Sequence, residues 1–227
     1  MKTEITGQFL PVLSCILEKD EQILTESGGM SWMSDSFEMT TNTNGGIMKG
    51  IGRAIAGESI FMNTYTCIKE QGEIAFASSF PGQILEFDIS DEQSLICQKG
   101  SFLCCENKVK SEMFFRKKIG AGFFGGEGFI MQKITGHGKA FLEVDGNVVK
   151  KELKAGEVLK IDNGYVVAMT DKVDLDIVSV KGLKNMFFGG EGLFLTTLKG
   201  PGTVWLQSMP ISKLAYTLSR FLPTSGS

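Results

Sequence analysis

Apolar and polar residues alternate in short stretches along most of the chain. Val158-Leu159-Lys160-Ile161-Asp162 alternates at period two, and Val173-Asp174-Leu175-Asp176-Ile177 does so again. That period belongs to a half-buried strand, because successive side chains leave opposite faces of an extended backbone. Residues 165–169, 193–198 and 203–206 read as further strands. Gly146-Asn147, Asn163-Gly164 and Gly200-Pro201-Gly202 fall between them as turn signals. Asn-Gly is the strongest short signal for a hairpin, so residues 158–169 are expected to fold back on themselves there. Short strands at roughly 8–12-residue spacing with glycine at the turns predict an all-β sandwich or barrel. The tail changes period. Ile211, Leu214, Ala215, Leu218 and Leu222 fall on one face of a helix opened by Pro210 and stopped by Pro223. An amphipathic helix is therefore expected over 208–223, packed on the sheets or on another subunit.

The pattern also recurs. Phe123-Phe124-Gly125-Gly126-Glu127-Gly128-Phe129 returns as Phe187-Phe188-Gly189-Gly190-Glu191-Gly192-Leu193, from 123 to 187, a shift of 64. At the same shift Gly136-x-Gly138-x-x-Phe141-Leu142 matches Gly200-x-Gly202-x-x-Trp205-Leu206, and Gly82 matches Gly146. A weaker copy precedes these. Asp20-Glu21-Gln22-Ile23-Leu24 matches Asp91-Glu92-Gln93-Ser94-Leu95 at a shift of 71, with Trp32 on Leu103. Ala56-Gly57-Glu58-Ser59 stands for the Gly-Gly-Glu-Gly motif at a shift of 69. Self-similarity at a fixed period marks a repeat architecture. One domain of three units is expected, at about 8–78, 79–142 and 143–207.

Composition narrows the function classes. The 227 residues carry 23 Lys+Arg against 26 Asp+Glu, a net charge of −3, which suits neither DNA nor RNA backbones. Apolar content of 42% excludes a disordered chain. No apolar run approaches the roughly 18 residues a membrane span needs, and residues 1–7 resemble neither a secretory nor a transit leader. Five cysteines (15, 67, 97, 104, 105) without CxxC spacing read as reduced thiols of a cytoplasmic protein, packed as small hydrophobes. The 28 glycines are an excess that three glycine-punctuated units explain.

Met48-x-x-Ile51-x-Arg53-x-x-x-Gly57-Glu58-Ser59, the two Phe-Gly-Gly-Glu-Gly motifs and Leu206-Gln207-x-x-Pro210 together resemble the altered-inheritance-of-mitochondria protein 24 family, over about residues 5–222. The resemblance implies a fold like that of the tryptophan RNA-binding attenuator protein (TRAP). That is a double-stranded β-helix of internal repeats, assembling as homo-oligomers, a trimer being one allowed state. It implies no established activity. Tryptophan and RNA binding do not carry over, since no ligand residues match position by position. Nor does the mitochondrial role of yeast members.

Several constellations could carry chemistry. Gly120-x-Gly122-x-x-Gly125 spells a dinucleotide fingerprint, but strand rather than helix is expected after it. Glu58, Glu127 and Glu191 hold one place in three units. Each carboxylate would accept hydrogen bonds from a glycine-rich turn, or the three would converge on a Ca²⁺ or Mg²⁺ ion. Gly57, Gly126, Gly190 and Arg53 complete this candidate binding set. His137 reads as a turn residue, Cys104-Cys105 as packing, and the basic run Lys108 to Lys118 as a solvated strand edge. Residues 45–57 form a glycine-rich apolar stretch suited to a subunit contact. No catalytic residue, metal site or cofactor is expected. The sequence points to a non-enzymatic oligomeric scaffold or interaction protein. The alternative is a small-ligand or anion/RNA-binding module with a cleft between the β repeats.

Overall fold

The structure, a computed structural model, describes residues 1–42, 62–117, 129–179, 194–219 and 221. The described residues are strand, turn and one short helix, arranged as four antiparallel sheets. The first runs β1 (Lys2–Thr6), β2 (Val12–Glu18), β7 (Gln71–Ala77), β4 (Trp32–Met33). The second runs β5 (Phe37–Asn42), β6 (Met62–Cys67), β3 (Gln22–Glu26), β10 (Phe102–Glu106), β13 (Gly138–Asp145), β8 (Gly82–Ile89). The third runs β11 (Val109–Lys117), β12 (Phe129–Gly136), β9 (Leu95–Gln98), β16 (Val166–Thr170), β19 (Gly202–Gln207), β14 (Val148–Leu153). The fourth runs β15 (Val158–Asp162), β18 (Phe194–Lys199), β17 (Asp174–Ser179). Helix α1 (Ile211–Ser219) follows.

Most strands that follow one another lie in different sheets, so few are hairpins. This corrects the expectation at Asn163-Gly164. β15 and β16 belong to different sheets, and residues 163–165 form one 3-10 turn between them. A type I′ hairpin needs positive φ at both central residues, and neither Asn163 nor Gly164 has it. Both are buried instead. The Thr196 hydroxyl donates to Asn163 Oδ1 at 2.6 Å, and Gly164 lies against Pro210 and Ser212.

Ladders recur at fixed displacement. Between β10 and β13, Cys105 faces Ala140 and Cys104 faces Phe141, then a bulge precedes Phe102 facing Leu142. Between β16 and β19, Met169 faces Val204 and Ala168 faces Trp205, and the bulge recurs before Val166 facing Leu206. Each partner has moved by 64 (105 to 169, 140 to 204). Near the N-terminus the sequence match needs correcting by one residue. It set Leu24 on Leu95, but the ladders set Ile23 there: Ile23 faces Tyr65 and Glu106, as Leu95 faces Ile134 and Thr170. A one-residue slip exchanges strand faces, and only this register turns both Ile23 and Leu95 into the core.

Gly82 and Gly146 sit where side chains do not fit. A Cβ on Gly82 would collide with the Val144 carbonyl, and Gly146 has φ +76°.

The core is three successive clusters. Leu13, Phe76 and Phe141 centre the first, Ile134, Leu142 and Val167 the second, Phe129, Met131 and Leu198 the third. Alternation along β10 sends Cys104 into the first cluster and Cys105 into the second. All five cysteines are free and buried. Burial pushes the Cys105 thiol up to about 12 and those of Cys97 and Cys104 well above their usual range, which leaves little nucleophilic thiolate. β11, which carries part of the basic run, is a sheet edge, with Lys110 exposed.

Helix α1 begins at Ile211, three residues after the expected start, and residues 220 and 222–223 of the expected span lie outside the described residues. Ile211, Ala215 and Leu218 are exposed, not packed on the described sheets. Polar contacts anchor it instead. The Asp145 carboxylate accepts the Ile211 N–H at 3.0 Å, satisfying a free amide of the first turn. Lys213 pairs with Asp162 at 2.8 Å.

Candidate functional site

The described surface offers two candidate regions, one at each end of the strand series. At the C-terminal end a cleft of about 500 Å³ opens between β14, β15, β19 and α1. β15 supplies Leu159, Lys160, Ile161 and Asp162, β19 supplies Leu206 and Gln207, and α1 supplies Lys213. Gln207 is held on both sides. Its amide donates to the Gly164 carbonyl at 2.7 Å and its Oε1 accepts the Asp145 N–H at 3.0 Å. Asp162 is engaged by Lys213. The lining is thus apolar with two lysines and one engaged carboxylate.

At the N-terminal end β4 exposes Trp32 (51%) and Met33 (38%). Phe9 and Leu10, in the turn before β2, are exposed as well. β4 sits beside β7 as β10 sits beside β13 and β16 beside β19. There the likeness stops. β10 and β16 are paired on their other edge, by β3 and β9, whereas β4 is the last strand of its sheet. β15 is the mirror case. It sits beside β18 as β3 sits beside β6 and β9 beside β12, but its other edge carries no described strand.

The perturbed carboxylates belong to the frame. Burial raises the Glu143 carboxyl above its ordinary value, opposed by the Ser79 N–H and the hydroxyls of Ser79 and Ser78 that it accepts. Burial also raises Asp145, opposed by the Ile211 N–H. These groups clasp a connection and a helix end. His137 lies in the turn between β12 and β13, 3.2 Å from Asp91, with both side chains exposed. Among the described residues, no three His, Cys, Asp or Glu side chains cluster closely enough to hold a metal.

Every residue of the sequence-derived binding set, Arg53, Gly57, Glu58, Gly126, Glu127, Gly190 and Glu191, lies outside the described residues. So do Gly120, Gly122 and the stretch 45–57. The regions that do stand out were not singled out. Trp32 had been matched to Leu103, which hid its exposure, and nothing local in Leu159-Lys160-Ile161 distinguishes an outer strand from an inner one.

The fold and its two ends define a multi-sheet all-β protein with, among the described residues, open strand edges and exposed apolar side chains at both ends. The chain belongs to the mitochondrial biogenesis AIM24 family, whose profile matches residues 3–209. It is 31% identical over 224 residues to an uncharacterized protein of Streptococcus pyogenes serotype M6, covering 95% of this chain and 88% of that one. The crystal structure of a Streptococcus pyogenes protein superposes with a TM-score of 0.80 at 26% identity, covering 97% of this chain and 99% of that one. No helix among the described residues is long and apolar enough to cross a membrane.

Proposed function

We propose that the protein is a non-enzymatic scaffold that works by assembling with other protein chains. In this reading it consists of three six-strand units, β2–β7, β8–β13 and β14–β19, forming a TRAP-like double-stranded β-helix. The ladders displaced by 64 residues support the unit reading. One observation carries the functional reading: apolar side chains are exposed at both ends, Trp32 and Met33 at one, Ile211, Leu218 and Phe221 at the other. Apolar surface of this kind marks interaction sites. Buried reduced thiols favour a cytoplasmic setting. Light scattering tests the reading. A mass that is a multiple of the chain supports it, and a strict monomer that captures no protein from the source cell overturns it.

The cleft beside α1 favours a second reading, a small-ligand or anion-binding module, because Lys160 and Lys213 both line it. Calorimetry with inorganic phosphate and with a short single-stranded RNA tests it. Binding that is lost in Lys160→Ala supports it, and no heat with either ligand removes it.

A further inference from the structure

We infer that copies of this chain join head to tail by strand pairing, β15 of one copy adding to β4 of the next. The inference rests on the three-unit reading. In that frame each junction inside the chain follows one rule: the second strand of a unit pairs with the third strand of the unit after it. β3 pairs with β10, and β9 pairs with β16. Each junction fuses three strands of one unit with three of the next into a six-stranded sheet. Among the described residues the rule leaves two strands over. β15 is the second strand of the last unit and ends a sheet of three. β4 is the third strand of the first unit and ends a sheet of four. The two leftover sheets are the halves of one more junction.

Side chains agree with this. Phe102 to Cys105 of β10 and Val166 to Met169 of β16 are all buried. In β4 the same place holds Trp32 and Met33, both apolar and both exposed. In β15, Leu159 is half-buried and Lys160 exposed, whereas Leu95 and Ile96 in the same places of β9 are buried. An unpaired edge bearing apolar residues is a template for another chain, and here the template and its complement sit on one molecule. The contact is heterologous, so it yields a ring if the rotation closes and a filament if it does not.

The internal junctions also set the register. Leu24 faces Cys105, and Ile96 faces Met169. Trp32 and Met33 face Ala75 and Ile74 as Cys104 and Cys105 face Phe141 and Ala140. Carried to the ends, Lys160 therefore faces Met33, Ile161 faces Trp32 and Leu159 faces Ser34. The last pair repeats an inner feature, since Ile23 faces Glu106 and Leu95 faces Thr170, an apolar residue opposite a polar one each time. α1 is tied to the end of β15 through Lys213 and Asp162.

The test uses Met33→Cys and Lys160→Cys with a short bis-maleimide, which forms two thioethers and needs no oxidant. The five native thiols are buried, and the unsubstituted protein serves as control. The expected result is a cross-linked dimer when the two variants are co-expressed and none from either variant alone. Light scattering on the same samples separates the outcomes. If the protein is oligomeric but a single variant cross-links to itself, or the mixture does not cross-link, head-to-tail pairing is wrong and the scaffold reading stands. If the protein is monomeric, the pairing falls, and the scaffold reading falls with it only if the chain also captures no protein from the source cell. A closed ring and an open filament both support the pairing, provided the cross-link requires both variants.

Discussion

β10 and β4 hold the same position beside their neighbours, yet one lies at the centre of the molecule and the other at its rim. Every apolar side chain of β10 is buried, while β4 shows Trp32 and Met33 to solvent. The ladder to the inner neighbour is alike in both; only the outer neighbour differs. Burial here comes from the adjoining strands rather than from the strand's own composition. The end of a series is therefore chemically unfinished unless it is capped, as in stacked-repeat proteins generally.

Substitutions at the centre and at the ends should part company. The largest effect is expected from Phe141→Ala, a fully buried ring between the first core cluster and β10. It should lower unfolding free energy by about 3–5 kcal/mol in a urea titration. Thr196→Val comes next. It removes the hydroxyl that donates to the buried Asn163 Oδ1 and should cost about 1–3 kcal/mol in the same titration. Trp32→Ala should change monomer stability by no more than about 0.5 kcal/mol, because the ring is half exposed. The same change should lower the mass found by light scattering, and an unchanged mass would remove Trp32 from any assembly contact.

The smallest effect is a slope against pH. Glu143 and Gln207 are 64 residues apart, and each accepts a backbone N–H, from Ser79 in the β7–β8 connection and from Asp145 at the end of β13. Only Glu143 titrates, and burial raises its carboxyl above the ordinary 4.5. A raised carboxyl binds its proton more tightly when folded, so its contribution is complete below the ordinary value. It is lost as pH rises through the raised one. Melting midpoints of the parent minus those of Glu143→Gln should therefore fall from pH 4.5 upward toward neutrality. A flat difference would show that the hydrogen bonds from Ser78 and Ser79 cancel desolvation, and a rising one that they outweigh it.

Much of the fold was legible beforehand. The alternation in 158–162 and 173–177 became β15 and β17, and glycines 82 and 146 mark tight approaches. The recurrence from 123 to 187 led to ladders displaced by the same 64 residues. Pairing was less legible. Asn163-Gly164 has a hairpin's composition, but its residues cross between sheets, because hydrogen-bond partners far along the chain decide where each strand goes. The helix illustrates the same limit. Its apolar spacing is real, but its attachment is polar, through Asp145 and Asp162. Of the candidate site, the glycine-rich motifs were visible and the exposed strand ends were not.

By itself the sequence determined the all-β class, the family, the recurrence and the inert packing of the cysteines. Each is written in composition, in period-two alternation or in spacing along the chain. Tertiary structure decided which strands are neighbours, that Ile23 rather than Leu24 faces Glu106, and that β4 and β15 end their sheets. Alternation records which face of a strand is apolar, but an edge is defined by the strand that is not beside it. That is a property of the assembled sheets and of no single residue.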